Sequence, residues 1–374
     1  MAYFDNSATT RPCPEAVAAA VEAMEQCWGN PSSLHKLGIA AQRRVQEARL
    51  SVSQALGCAP DRVFFTASGT EADNWAIFSA VERLRKRGNH VVTTQIEHHA
   101  VLSPMKKLEA QGFEVTYLAP DGDGRITVDA LEAALRRDTI LVSVMLVNNE
   151  VGSVQPISAM AKLTRRLAPN TLFHTDAVQG FCKVPFRAES LGADLVSVSG
   201  HKVHAPKGIG ALYIRKGLTL PPLLLGGGQE SGYRSGTEAV PGICAFGAAC
   251  KAALPTLRQD MAEQARLLDI LKKELPKLEG VRLLGAAEAP HILNLAVPGV
   301  RSQGLINCLQ DMDVYVSAGS ACAKGHRSHV LEAMGVSSEL IDGSIRVSLS
   351  RFTTEAEIAQ LVEALRHAAR RLRS

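Results

Sequence analysis

No stretch of about 18 uninterrupted apolar residues occurs in the 374-residue chain, and no basic segment followed by an apolar run opens it. Neither a membrane span nor a secretory leader is therefore expected, and the expected location is cytoplasmic. The eight cysteines, at positions 13, 27, 58, 182, 244, 250, 308 and 322, form no C-x-x-C pair and no paired metal-ligand spacing. Reduced thiols and no bound metal are the expectation. Charge of one sign is also scarce: the net charge is only +4, spread along the chain apart from Arg366, Arg370, Arg371 and Arg373. Nothing in that balance demands a nucleic-acid partner. Internal repeats and low-complexity segments are missing, which excludes solenoids and linker-rich arrays. What remains, 46% apolar and 21% charged residues, describes a folded protein long enough for two domains.

From residue 62 to about 214, short apolar runs alternate with helical patterns. The runs are Arg62–Thr66, His90–Thr94, Phe113–Leu118, Ile140–Val147, Leu172–Thr175, Asp194–Ser199 and Ile209–Ile214. Such alternation predicts an α/β fold: a large domain with a mostly parallel, seven-stranded sheet between helices. One intervening segment, residues 70–88, places Ile77, Ala80, Val81 and Leu84 on one face and stops at Gly88, as a helix does. After about residue 250 comes a long helical stretch, then strand-like Ile292–Val297 and Val314–Val316, then a last helix. Thr354 and Glu357 are spaced as a capping box for that helix, with Ile358, Leu361, Val362, Leu365 and Leu372 as its buried stripe. Residues 15–250 are assigned to the large domain, and residues 1–14 with 251–374 to a smaller α+β domain.

Polar clusters stand at the ends of these strands. Lys202, in Ser199-Gly200-His201-Lys202, invites a chemical reading: burial and nearby cations turn a lysine into a nucleophile that forms Schiff bases, and the commonest carbonyl cofactor held this way is pyridoxal phosphate. Ala67-Ser68-Gly69-Thr70 opens the helix at residue 70, either as a tight turn capped by Thr70 or as a phosphate cup built from free N–H groups. Asp176 reads either as another N-cap or as a partner that keeps a pyridine nitrogen protonated, with Gln179 one turn on facing a phenolic oxygen. His98 is either structural or a flat ring that stacks on a cofactor and moves protons. Asn148-Asn149-Glu150-Val151-Gly152 makes a further polar cluster at the same sheet edge.

With these residues in view, the chain resembles the cysteine desulfurases of the class V aminotransferase group, pyridoxal-phosphate fold type I. The resemblance runs through FDNSATT at 4–10, GNPSSLH at 29–35, FTASGTEADN at 65–74, VNNEVG at 147–152, SGHK at 199–202, the glycine-rich segment 226–237, GSAC at 319–322 and IRVSLSRFTTE at 345–355. It implies that Lys202 bonds the cofactor covalently, that Asp176 pairs with its ring nitrogen, that Gln179 meets its phenolic oxygen and that His98 stacks on the ring. It also implies a phosphate held by Gly69, Thr70, Ser199 and His201, with Thr237 contributed by a second copy in a homodimer. Arg346 would grip the substrate carboxylate, a task suited to a bidentate guanidinium, with Asn149 beside cofactor and substrate.

Cys322 distinguishes the implied reaction. It lies in a small-residue stretch, Ser317 to Gly325, whose neighbours Lys324, His326 and Arg327 favour a thiolate. The resemblance implies that L-cysteine becomes L-alanine while Cys322 takes the sulfur as a persulfide for a protein acceptor, such as an iron-sulfur scaffold or a thiouridylase. The loop after Cys322 is shorter and more basic than in long-loop members of the family. Two further readings stay open: a selenocysteine lyase or aminotransferase on the same cofactor, and a non-catalytic sulfur or iron-sulfur carrier, which the missing ligand spacings disfavour.

Overall fold

The computed structural model describes residues 1–278, 280–318 and 327–372. Its strands are β1 (Ala2–Tyr3), β2 (Val63–Thr66), β3 (His90–Thr94), β4 (Glu114–Leu118), β5 (Thr139–Ser143), β6 (Leu172–Asp176), β7 (Leu195–Ser199), β8 (Gly210–Ile214), β9 (Arg282–Leu284), β10 (Ile292–Ala296), β11 (Val314–Tyr315), β12 (Ser317–Ala318) and β13 (Ser344–Ser348).

Strands β2 to β8 form a seven-stranded sheet in the order β2-β8-β7-β6-β5-β3-β4. All neighbours are parallel except β8, which runs antiparallel to both β2 and β7. Alternate residues serve opposite faces, as the pleat requires. Phe64, Val91, Leu141, Leu195 and Leu212 pack with helices Gly69–Leu84 and His99–Ala110. Phe65, Val92, Val142, Phe173 and Val196 pack on the other face with helices Lys36–Leu56, Ile157–Leu167 and Val240–Ala253. Burial on both faces explains why these strands read as continuous apolar runs.

The sheet is therefore the predicted one, with two local differences. The run Ile140–Val147 ends as a strand at Ser143, because the N–H of Met145 donates to the Glu97 carboxylate at 2.8 Å and Val147 bridges back to Val154. The helix expected over 70–88 spans Gly69–Leu84, and its cap is Ser68, not Thr70: the Ser68 hydroxyl accepts from the N–H of Glu71 at 3.1 Å. The apolar stripe Ile77, Ala80, Val81 and Leu84 is buried as the period requires.

A second core lies beyond residue 256. Strands β12-β13-β10-β9 form an antiparallel sheet, and helices Leu257–Glu274, Ser302–Gln310 and Glu355–Arg371 bury Leu271, Leu309, Leu361 and Leu365 against Leu293, Leu295, Ile345 and Val347. Thr354 and Glu357 make a reciprocal capping box at the start of the last helix. Ile358, Leu361, Val362 and Leu365 are buried there, and Leu372 packs at the edge of the stripe. The amino terminus belongs to this core: β1 pairs with β11 in parallel, and Ala2 and Phe4 are fully buried in it. From there, residues 5–10 cross to the edge of the large sheet, where Thr10 donates to the carbonyl of His201. The helical run Val240–Lys277 is long and apolar enough to cross a membrane, yet half of its most apolar window is buried, and Val240–Ala253 packs on helices Pro14–Gln26 and Lys36–Leu56. It serves as a core helix.

Candidate active site

Because β2, β3, β5, β6 and β7 run the same way, their carboxyl ends meet at one edge of the sheet, where ligands of parallel sheets bind. A cavity of about 630 Å³ opens there, bordered by Thr70, His98, Asp176, Lys202 and, from the second sheet, Arg346. Gly69, Asn149, Gln179, Ser199 and His201 also line it. Ten of the residues singled out from the sequence thus converge on one cavity.

Lys202 closes a single helical turn, Gly200–Lys202, directly after β7. Its Nζ donates to the carbonyls of Ser7 at 2.5 Å and Ala8 at 2.6 Å, so the amino-terminal segment forms one wall. Burial, reinforced by the Arg346 guanidinium, lowers its pKa from 10.5 to about 8. An amine so tuned has an appreciable neutral fraction just above neutrality, the form a carbonyl needs.

The cup for an anion is made by the Ser68 cap. Ser68 takes the N–H groups of Glu71 and Ala72, which leaves the first-turn amides of Gly69 and Thr70 without a helical acceptor. A Cβ on Gly69 would stand 2.8 Å from Val178 Cγ2 and 3.3 Å from Ser199 Cβ. The Ser199 hydroxyl is fully buried and without a hydrogen-bond partner among the described residues. A buried unsatisfied donor beside a helix amino terminus calls for an anionic oxygen.

Asp176 ends β6 and is 6% exposed; its Oδ1 accepts from the N–H of Val178 at 2.8 Å. Burial, then the neighbouring Asp73, raises its pKa to about 7. Such a carboxyl gains most from a cationic partner, which a protonated ring nitrogen supplies. Two buried acids that the sequence reading did not single out surround it. Asp73, on the helix Gly69–Leu84, is pushed up to about 7 by burial. Glu97 accepts from the Thr94 hydroxyl and from Met145 N–H through Oε1, leaves Oε2 unpartnered, and is held well above the carboxylate range by burial. His174, between Ser143 and Ser197, is kept neutral by burial at about 4, so its 3.4 Å approach to Asp73 is not an ion pair.

His98 caps the helix His99–Ala110: its Nδ1 accepts from the N–H of Ala100 at 3.1 Å, which places the ring proton on Nε2. Desolvation in the cleft, with Lys202 nearby, pushes its pKa down to about 4, so the ring is flat and neutral. His201 is likewise neutral, lowered to about 4 by burial and by Lys202. Gln179 donates from Nε2 to the Ser7 carbonyl at 2.9 Å and accepts from Lys183 Nζ at 3.1 Å.

Arg346, on β13, is 3% exposed and donates to Asp5 at 3.0 Å and to the carbonyl of Asn149 at 2.8 Å, while its Nε has no partner among the described residues. Asn148 holds this corner through an Asx turn, accepting from the N–H groups of Glu150 and Val151. The Glu150 side chain accepts from the Ser328 hydroxyl at 2.5 Å, and burial raises its pKa to about 7. Cys322, with Lys324 and His326, lies outside the described residues. Arg327 and Ser328, which follow the Cys322 segment, line the cavity wall, and Ser317, before it, pairs with Arg346 across β12 and β13. Thr237 is exposed and stands outside the cavity of its own chain.

Pyridoxal phosphate fits this set: an amine at Lys202, an acid at Asp176, and an anion cup with an unsatisfied hydroxyl at Ser199. The chain belongs to the class-V aminotransferase family, whose model matches residues 2–361. That family works with pyridoxal phosphate, and it is the cofactor here. Within the family the similarity is to cysteine desulfurases. The chain is 41% identical to a cysteine desulfurase of Trichormus azollae, covering 100% of this chain and 94% of the relative, and 40% identical to the cysteine desulfurase IscS of Methanosarcina thermophila, covering 100% and 93%. A solved NifS-like protein superposes with a TM-score of 0.94 at 38% identity, over 100% of both chains.

Proposed function

We propose that the protein is a cysteine desulfurase: it converts L-cysteine to L-alanine and carries the sulfur on Cys322 to an acceptor. One observation supports this above the rest. The Lys202 amine and the Arg346 guanidinium share a cavity with Arg327 and Ser328, the residues that follow the Cys322 segment, while Ser317 before it pairs with Arg346 in the second sheet.

Bound there, pyridoxal phosphate supplies an electron sink for the pair released when a bond at the substrate α-carbon breaks. Asp176 would hold the ring nitrogen protonated, and the amides of Gly69 and Thr70 with Ser199 and His201 would hold the phosphate. Arg346 orients the substrate carboxylate, with Asn149 beside it. Lys202, neutral above about pH 8, would move the proton at the substrate α-carbon. Neutral His98 would face the ring and hand on protons through Nε2. The Cys322 thiolate forms an S–S bond to the substrate sulfur as the C–S bond breaks, leaving a persulfide on Cys322 and, after proton uptake at carbon, alanine. An aminotransferase has no use for that cysteine.

The working unit is a homodimer in which Thr237 completes the partner's phosphate site. Thr237 is exposed and outside its own cavity, and the chain exposes apolar side chains at Met24 (56%), Trp28 (67%), Leu34 (94%) and Leu225 (87%), which a second copy would cover. The acceptor is a protein, an iron-sulfur scaffold or a thiouridylase, and the location is cytoplasmic.

The test is Cys322→Ala. The variant keeps the cofactor's absorbance but forms neither alanine from L-cysteine nor protein-bound persulfide. Alanine formation at the wild-type rate would reject the assignment, and pyruvate or keto-acid exchange in its place would favour the aminotransferase.

A further inference from the structure

Gln179 forms part of the wall between two cavities. It lines the main site, while Lys183 and the inner side of Lys202 line a smaller cavity behind it, of about 30 Å³, with Cys182, His204 and His291. A tight turn brings Gln179 and Lys183 to the same side: Phe181 N–H donates to the carbonyl of Ala177, Val184 N–H donates to that of Gly180, and Cys182 adopts φ +53°. The buried ring of Phe181, edge-on to Phe246 at 6.1 Å, anchors it.

A glutamine amide is ambiguous by shape and is oriented only by its partners. Here one partner is a carbonyl and the other an amine that keeps N–H donors whether charged or neutral. The Ser7 carbonyl accepts only, and takes Nε2 at 2.9 Å; the Lys183 amine donates, and takes Oε1 at 3.1 Å. Lys183 makes no ion pair with a carboxylate among the described residues, so its partner is this amide oxygen and not a charge. With both ends engaged, Nε2 keeps one N–H free for an anionic oxygen in the main cavity. A flipped amide would direct lone pairs at that oxygen.

We propose that Lys183 is a positioning residue: from behind the cavity wall its amine holds the Gln179 amide with the NH2 end toward the phenolic oxygen of pyridoxal phosphate. This rests on the reading of Gln179 as the partner of that oxygen. The neighbours charged at neutral pH are Lys202 and Arg346, whose fields, after burial, draw the Lys183 pKa down to about 7.

The experiment compares the affinity of apo-protein for pyridoxal phosphate and for its 3-deoxy analogue, which lacks the phenolic oxygen, by equilibrium dialysis. Lys183→Met is expected to weaken pyridoxal phosphate about tenfold, the worth of one hydrogen bond to a charged group, and the analogue less than about twofold. Gln179→Leu shows the same selectivity, the double variant is no worse than Gln179→Leu, and Lys183→Arg, which restores a donor, recovers the wild-type preference. Equal losses for both ligands in Lys183→Met, or a selective loss in Gln179→Leu that Lys183→Met does not share, overturn the proposal. A Gln179→Leu variant without selectivity overturns the reading of Gln179 beneath it. Where Lys183→Met fails to fold, Lys183→Arg with wild-type affinity for the analogue but selective loss of pyridoxal phosphate also counts against it.

Discussion

Lys202 and Ser7, 195 positions apart in the chain, are joined by a 2.5 Å hydrogen bond from the lysine Nζ to the serine carbonyl. The nucleophile is thus aimed by a segment that begins in the other core. It also sits beside Arg346, which with burial lowers its pKa to about 8, whereas Asp5 pulls the other way. Only the neutral amine attacks an aldehyde, so capture of pyridoxal phosphate by apo-protein should accelerate with rising pH and level off above about 8. Arg346→Gln removes the cation and leaves Asp5 without its partner, so the midpoint should rise. Stopped-flow absorbance measures both, and an unmoved midpoint would sink the electrostatic account.

Arg49 grips Glu230 with two bonds of 2.7 Å, and Glu230 also accepts from the N–H of Phe65 at 2.8 Å. Glu230 (φ +48°) and Ser231 (φ +57°) are left-handed, a strained geometry that this anchor maintains just before Thr237. Arg49→Met strands a buried carboxylate, at a cost of about 3–5 kcal/mol. Thermal unfolding should show Arg49→Met well below wild type and Glu230→Gln, which keeps hydrogen bonds, between them.

Asp73 has a native pKa of about 7 against 3.8 in a model peptide, because burial disfavours its charge. Between those values the native state holds a proton that the unfolded chain has lost, so this group's contribution to stability falls as pH rises from about 4 to 7. Asn does not titrate. In apo-protein, Asp73→Asn should therefore gain on wild type as pH increases through that window, with a constant difference above it. Parallel melting curves at pH 5 and 8 would contradict the shift.

Gly69→Ala places a methyl group 2.8 Å from Val178 and against Ser199 at the lip of the anion cup. Affinity for pyridoxal phosphate should fall by about tenfold or more, and affinity for unphosphorylated pyridoxal should change little. Equal losses for the two ligands would place the phosphate elsewhere.

Trp28 is 67% exposed on the face assigned to a second copy. Trp28→Asp should sediment as a monomer and bind pyridoxal phosphate weakly, although Lys202 and Asp176 are untouched. A monomer with wild-type affinity would remove Thr237 from the site.

Much of this site was legible because it is local. A strand followed by Ser68-Gly69-Thr70 announces a helix amino terminus wherever it occurs, and Thr354 with Glu357 announces a capping box. The sequence misleads where a distant group competes for a local donor. The extended run Ile140–Val147 is cut at Ser143 because Glu97, 48 positions away, takes the Met145 N–H. The burial of Asp73 and Glu97 is not announced by the sequence, since an acid on a helix and an acid before a histidine look solvated until the sheet covers them. Lys183 is silent in the sequence for the same reason: its meaning lies in Gln179, whose own orientation depends on Ser7.

By itself the sequence determined the alternation that makes a parallel sheet, the reactive residue types at the strand ends and the presence of Cys322, because periodicity, caps and side-chain chemistry are properties of neighbouring residues. Only the tertiary structure decided that the amino-terminal carbonyls aim Lys202, that Arg346 comes to the cavity from a second sheet, and that buried acids surround Asp176. Those relations depend on burial and on pairs of groups some 200 to 340 positions apart, and burial sets the charge each group carries.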